Sequence, residues 1–206
     1  MMRTFFVTGI STEVGKTIAS AILVEALEAD YWKPIQAGEL ENSDSHKVEQ
    51  LISNTKTVIH KNSYALKTPM SPHAAAAIDG VVIDINEINA PETSNHLVIE
   101  GAGGLLVPLN DEDTILDVIM PSHQVVVVSR HYLGSINHTL LTVGWLQQKG
   151  YDVAILFSGN EHKTTEEIIV KKTGATVIGR INEEASFNKA TIKKYAAEFK
   201  SVLESL

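Results

Sequence analysis

The sequence predicts an α/β fold: a mostly parallel β-sheet with helices on both faces. Two observations lead there. Short apolar runs such as Val125-Val126-Val127-Val128 lack the polar alternation of a half-exposed strand, so they read as strands buried on both faces. Between them lie longer stretches with apolar residues at helical spacing, so strands and helices alternate along the chain.

Taken in order, Phe5-Phe6-Val7-Thr8 is a short apolar strand ending at Gly9. Lys16 to Leu27 follows as a helix, with Ile18, Ala21, Ile22, Val24, Ala26 and Leu27 carrying the apolar pattern. Tyr31 to Ile35 is one brief extended piece, because Pro34 disfavours helical geometry at Lys33. Ser43 to Ile52 reads as a helix with Val48, Leu51 and Ile52 on one side. Leu97-Val98-Ile99 is a core strand closed by Glu100 and a turn, Gly101-Ala102-Gly103-Gly104. After the valine strand come a helix from Ile136 to Gln148, a strand from Val153 to Phe157 and a helix from Thr165 to Lys172. A strand from Ala175 to Ile178 precedes a C-terminal amphipathic helix striped by Ile192, Tyr195, Ala196, Phe199, Val202, Leu203 and Leu206.

No repeat or linker divides the 206 residues, which suggests one domain spanning 1–206 with a full hydrophobic core. The net charge of −8 argues against a broad nucleic-acid surface, though not against a small anion in a local positive pocket. The absence of cysteine excludes disulfides, thiolate metal sites and a cysteine nucleophile. No transmembrane span is visible, and the run from Met1 to Val7 enters a glycine motif with no room for a signal peptide. A soluble, cytoplasmic chain is therefore expected.

In an open parallel sheet ligands bind at the carboxyl ends of the strands. The first such end is Gly9-Ile10-Ser11-Thr12-Glu13-Val14-Gly15-Lys16-Thr17, a glycine-bounded loop between strand and helix. Its amides and the helix N-terminus offer donors and positive potential to phosphate oxygens. Lys16 would reach the β- and γ-phosphates, and the Thr17 hydroxyl would ligate Mg²⁺. Five residues separate the two glycines where the common phosphate-loop motif has four. The fold class thereby narrows to a P-loop NTPase-type sheet.

Glu100 stands at a strand end, where a carboxylate can ligand Mg²⁺ or simply face water. Asp44 is either a second ligand or, with Ser43, a cap of the following helix, and its position alone favours the cap. Asp111, Asp113 and Asp117 read as loop and helix-surface acids. Lys33, at a strand end, can hold a transferring phosphoryl group or an anionic intermediate. Ser71 before Pro72 has the pattern of an N-cap and first helical residue, and His73 that of a packed histidine. The helix start at Leu133-Gly134-Ser135-Ile136-Asn137-His138 would suit a carboxylate, with Ser135 equally placed as a plain cap.

With these segments assembled, the chain resembles the dethiobiotin synthetases, the ATP-dependent carboxylases of biotin biosynthesis. The resemblance runs from Thr4 to about Gly179. It rests on the long phosphate loop, Lys33-Pro34-Ile35-Gln36, Asn42-Ser43-Asp44, Ser71-Pro72-His73, Val98 to Gly104 and Leu133 to Thr142, in that order. It implies a homodimer with the active site at the subunit interface. It also implies conversion of 7,8-diaminononanoate, CO₂ and MgATP to dethiobiotin, ADP and phosphate through a carbamate and a carbamic–phosphoric anhydride.

By the same resemblance Thr17, Asp44 and Glu100 hold Mg²⁺, and Thr12, Lys16 and Lys33 serve the carbamate and phosphates. Glu13, Val14, Gly15, Lys16, Thr17, Ile18 and Asn160 contact the nucleotide. Thr12, Lys33, Ala37, Ser71 and Gly103 contact the diamine substrate, whose carboxylate is received by Gly134, Ser135 and Asn137 of the partner subunit. His73 stays undecided. The chain departs from relatives at Ala37, where many carry Thr or Ser, and at Asn182, where many carry proline near the base-reading region. The competing classes are a related P-loop amidoligase or partitioning-type ATPase, a regulatory GTPase and a non-hydrolysing nucleotide-binding scaffold. The partitioning ATPases usually carry an extra early lysine where this chain has Ile10 and Ser11. A GTPase would want Asn-Lys-x-Asp, which Asn160-Glu161-His162-Lys163 does not supply.

Overall fold

The computed structural model describes residues 2–206, so Met1 and the reading that began there lie outside the described residues. Seven strands form one parallel sheet. They are β1 (Thr4–Gly9), β2 (Asp30–Trp32), β4 (Ile59–His60), β6 (Leu97–Gly104), β7 (Gln124–Arg130), β8 (Val153–Ser158) and β9 (Thr176–Ile181), with β3 (Ile35–Ala37) and β5 (Tyr64–Leu66) pairing apart in a small parallel ribbon. The large sheet runs β4-β2-β6-β1-β7-β8-β9, and each of its pairings is parallel. Parallel neighbours require crossovers, and the helices supply them. These are α1 (Lys16–Leu27), α2 (Asp44–Leu51), α3 (Pro72–Asp79), α4 (Ser135–Gln148), α5 (Lys163–Thr173) and α6 (Lys189–Ser205).

Strand β1 lies between β6 and β7, with α1 leading away to β2 on one side and α4 from β7 to β8 on the other. Right-handed crossovers in opposite directions place the two helices on opposite faces. Accordingly α1 packs with α6 and α2, whereas α4 packs with α5. The core fills both interfaces: Phe5, Phe6 and Val7 of β1 and Val125 to Val128 of β7 are fully buried. Of the expected α6 stripe, Ile192, Tyr195, Ala196, Phe199 and Leu203 are buried, and Val202 and Leu206 are half-buried.

Three local expectations are corrected. Tyr31 to Ile35 is not one extended piece: Pro34 marks the point where the chain leaves β2 for β3 in the second ribbon. Gly101 to Gly104 is not a turn but the end of β6, where Gly104 pairs with Gly9 of β1. A side chain on Gly104 would crowd the Gly9 carbonyl, its Cβ lying 3.3 Å from that oxygen, so small residues suit continued pairing there. Ser135 is not a cap; it is the buried first residue of α4, and Gly134 at φ 102° takes the cap position.

Candidate active site

The order β6-β1-β7 makes the carboxyl end of β1 the topological switch point, and the phosphate loop springs from it. Gly15 caps α1 with φ 95°, a left-handed geometry suited to glycine, and no side chain caps the first helical turn. The loop therefore ends on amides available to an anion. Gly9 keeps the loop close: a Cβ there would fall 2.6 Å from Val14 Cγ2 and 3.2 Å from Lys16 Nζ. Lys16 lies over the loop, donating to the Ser11 carbonyl at 3.1 Å. That hollow, with a buried lysine folded on the loop's own carbonyl, fits a phosphate chain. Burial lowers Lys16 to about 8, against the carboxylates of Glu100 and Asp44 and with the help of Lys33.

Strand register brings the other charges to the same place. Val7 pairs with Glu100, and Trp32 pairs with Ile99, so Lys33 comes level with Glu100 across the strand ends. Lys33 Nζ lies 3.0 Å from Glu100 Oε1 and 2.5 Å from Asp44 Oδ2. Burial pulls the Lys33 ammonium down, but Glu100 and then Asp44 outweigh it and hold it above the usual lysine value. Burial pushes the Asp44 carboxyl up, and Lys33 outweighs that, so it stays below the usual carboxylate range. The Thr17 hydroxyl donates to Glu100 Oε1 at 3.0 Å.

The cap of α2 is Ser43 and not Asp44. The Ser43 hydroxyl accepts from the His46 amide, and His46 Nδ1 accepts from the Ser43 amide at 3.2 Å. Asp44 is thereby free to face Lys33, while its amide donates to buried Gln36 Oε1 at 3.2 Å. Asp113 is a loop acid and Asp117 lies in a 3₁₀ turn over Ile115–Val118, where it accepts from the Thr114 amide and hydroxyl at 2.8 Å.

Thr12, Glu13, Gly15, Lys16, Thr17 and Ile18 line one cleft of about 830 Å³, which Lys33, Asp44, Glu100 and Gly103 also line. Sequence reading missed Arg130, at the end of β7, which donates to the Glu13 carbonyl at 3.3 Å and lies 3.6 Å from Glu183 across the rim. The arginine was visible only as the end of an apolar run. The cleft lining leaves out several expected residues. Val14 is buried beneath the loop. Asn160 is exposed, its side-chain oxygen accepting from the Glu183 amide at 3.2 Å beside Gly159 and Asn182 of the lining. Ala37 is half-buried in the small ribbon. Ser71 is exposed at the cap position of α3, yet its hydroxyl meets His73 Nδ1 at 3.2 Å rather than capping the helix. Gly134, Ser135 and Asn137 stand at the start of α4, away from this lining.

Thr17, Asp44 and Glu100 offer only oxygen donors, the hard set that Mg²⁺ takes while keeping water and phosphate ligands. Among the described residues no cluster of three or more His, Cys, Asp or Glu could hold a metal by itself. The Lys33 ammonium between the two carboxylates shows that the spot accepts positive charge.

A glycine-bounded loop between parallel strand and helix, with Lys16 and Thr17 at the helix start and an acid at the adjoining strand end, defines a P-loop NTPase-type protein. A family model described as an AAA domain matches residues 3–191. Among solved structures the fold is similar to a plasmid partition protein from Borrelia burgdorferi (TM-score 0.62, 13% identity, 100% of this chain and 99% of that one). It is similar also to the MinC:MinD cell division complex of Aquifex aeolicus (0.59, 16%, 99% and 96%). At such identities the likeness shows the fold alone.

Curated relatives go further. The "ATP-dependent dethiobiotin synthetase BioD" of Christiangramia forsetii is 58% identical over 204 residues, 98% of this chain and 99% of that protein. That of Cytophaga hutchinsonii is 47% identical over 200 residues, 96% and 97%, and that of Chlamydia pneumoniae 40% over 205 residues, 99% and 92%. The chain belongs to the ATP-dependent dethiobiotin synthetase family, enzymes of biotin biosynthesis.

Proposed function

We propose that the cleft joins 7,8-diaminononanoate with CO₂ at the expense of ATP, giving dethiobiotin, ADP and phosphate. In this reading one substrate amine and CO₂ form a carbamate, releasing a proton, and the carbamate oxygen attacks the γ-phosphorus and expels ADP, giving a carbamic–phosphoric anhydride. The second amine then closes the ureido ring and expels phosphate. The observation that carries the reading is the convergence of Lys16, Thr17, Lys33, Asp44 and Glu100 in one cleft at the switch point.

Carbamate and γ-phosphate are both anions, so their approach requires fixed positive charge. Lys16 and the amides of Gly15 and Lys16 hold the phosphates against the loop. Lys33 supplies the second ammonium, on the side where Thr12 and Gly103 face the substrate. Thr17, Asp44 and Glu100 hold Mg²⁺, which when bound neutralises charge on the phosphate oxygens. Glu13, Val14 and Ile18 frame the nucleotide, and Asn160 orders the Glu183 segment beside its base.

The substrate chain runs over a mostly apolar groove of about 530 Å³ that shares Thr12 with the first cleft and is walled by Gly104, Pro108, His138, Leu141 and Trp145. Leu133, Leu141 and Trp145 are exposed hydrophobics on that side, which supports a homodimer whose partner brings Gly134, Ser135 and Asn137 to the substrate carboxylate. Ala37 and Ser71, outside both linings, are assigned to the substrate on the family resemblance alone. No helix among the described residues is long and apolar enough to cross a membrane, and the reaction is assigned to the cytoplasm.

The test is an assay with diaminononanoate, bicarbonate and MgATP. Dethiobiotin and ADP should form together, and ATP consumption should depend on the diamine. Absence of dethiobiotin, or ATP loss indifferent to the diamine, overturns the assignment. Sizing in solution should give a dimer; a fully active monomer contradicts the shared site.

A further inference from the structure

We propose that Tyr31 is a positioning residue that holds the Glu100 carboxylate with one oxygen turned to the metal site. Tyr31 is fully buried in β2, and its phenol donates to Glu100 Oε2 at 2.9 Å. The other oxygen, Oε1, receives Thr17 and Lys33, each at 3.0 Å. The two ends of one carboxylate thus have separate duties: Oε2 is tied to the core and Oε1 faces the reactive groups.

Tyr31 lies in β2 and Lys33 one residue past its end, two apart along the chain, and both reach the Glu100 carboxylate. Tyr31 pairs with Val98, two residues before Glu100, and its long side chain carries the phenol forward to the glutamate. Lys33 meets the same carboxylate from the strand end. The tyrosine ring sits in close-packed surroundings, so its O–H is a donor of fixed position. A carboxylate that is 1% exposed and lacks this donor would keep an unpaired oxygen in the core and turn to satisfy it. Groups that orient metal ligands in this way commonly govern affinity without touching the ion.

The inference rests on Glu100 being a metal ligand, and the test separates the two claims. Mn²⁺ binding in the presence of ADP is followed by electron paramagnetic resonance on wild type, Tyr31→Phe, Glu100→Gln and the double variant. Tyr31→Phe should bind Mn²⁺ about tenfold or more weakly. The metal concentration for half-maximal turnover should rise in parallel, while kcat at saturating metal stays within a few-fold of wild type.

If Glu100→Gln binds Mn²⁺ as tightly as wild type, the metal-ligand reading of Glu100 fails. If Glu100→Gln weakens the metal and Tyr31→Phe only lowers the thermal midpoint, the positioning claim fails. Should Tyr31→Phe alone not fold, the double variant decides, because glutamine removes the orphaned charge. Added to Glu100→Gln, Tyr31→Phe should leave Mn²⁺ affinity within about twofold, whereas a further large loss shows that Tyr31 does not act through Glu100.

Discussion

Replacing Lys33 with methionine tests the charge arrangement directly. Lys33 is 4% exposed, and its ammonium stands between Asp44 Oδ2 at 2.5 Å and Glu100 Oε1 at 3.0 Å. Methionine has similar length and fills the space, so the main loss is electrostatic. Removing one partner from a buried ion pair costs about 3–5 kcal/mol. The Asp44 side chain is 21% exposed, which puts the expected loss near the lower end, about 3 kcal/mol. With a urea slope of about 2 kcal/mol per M the midpoint should fall by about 1.5 M.

The pH dependence gives the sign. In wild type the Asp44 carboxyl is held below its ordinary value, so its contribution is present above pH ~4 and is lost as pH falls through its folded pKa. Without Lys33 the burial of the Asp44 carboxyl is no longer outweighed, which raises it relative to wild type. Its penalty is then greatest at neutral pH and is relieved as pH falls. The gap between variant and wild type should therefore narrow between about pH 7 and pH 5. Mg²⁺ should stabilise the variant more than wild type, because no ammonium competes for the carboxylates. Urea titrations at several pH values, with and without Mg²⁺, check all three outcomes. An unchanged midpoint at pH 7, or a gap that widens toward pH 5, refutes the reasoning.

Lys16, lowered to about 8 by burial, should lose its proton just above neutral pH, so kcat/KM for ATP should fall with unit slope above pH 8. Lys16→Gln should remain folded with turnover reduced at least a hundredfold, on the order of one lost charge stabiliser, and a flat profile in wild type would contradict this role. Burial also holds His123 down at about 4, where its Nδ1 accepts from the Met120 amide at 3.1 Å and its ring stacks on Phe6. The unfolded chain takes up that proton near pH 6.5, so stability is full above 6.5 and declines by about 3 kcal/mol toward pH 4. His123→Gln should flatten that part of the stability–pH curve measured in urea, and an unchanged slope would show that other groups set it.

Much of the fold was legible because each large strand declares itself in consecutive residues, as Val125 to Val128 and Val153 to Phe157 do. The short strands did not: Ile59–His60 has two half-buried residues and no apolar run, and its pairing with β2 is decided by distant chain. Gly101 to Gly104 misled for a physical reason, since glycines signal turns locally yet here permit close strand pairing at Gly9. At the site, Lys16 and Thr17 follow from a local motif. Asp44 did not, because the reciprocal partner of Ser43 is His46 where the familiar capping pattern has Glu or Gln. Tyr31 carried no signal at all, since its partner lies 69 residues away and only register brings them together.

Register also explains how a chain of net charge −8 can handle two anions. The pairings Val7–Glu100 and Trp32–Ile99 put a carboxylate and an ammonium side by side at the ends of neighbouring strands. Lys33 offsets part of the field of Asp44 and Glu100, while Lys16 and the α1 amides face the cleft. A metal ion arriving on the two carboxylates would take over that neutralisation and leave Lys33 available to an incoming anion. In that reading the metal displaces the lysine from the acidic pair, and Lys33 turns to the anion only when metal is bound. The global charge is irrelevant to this chemistry because three strand ends and one helix terminus set the local one.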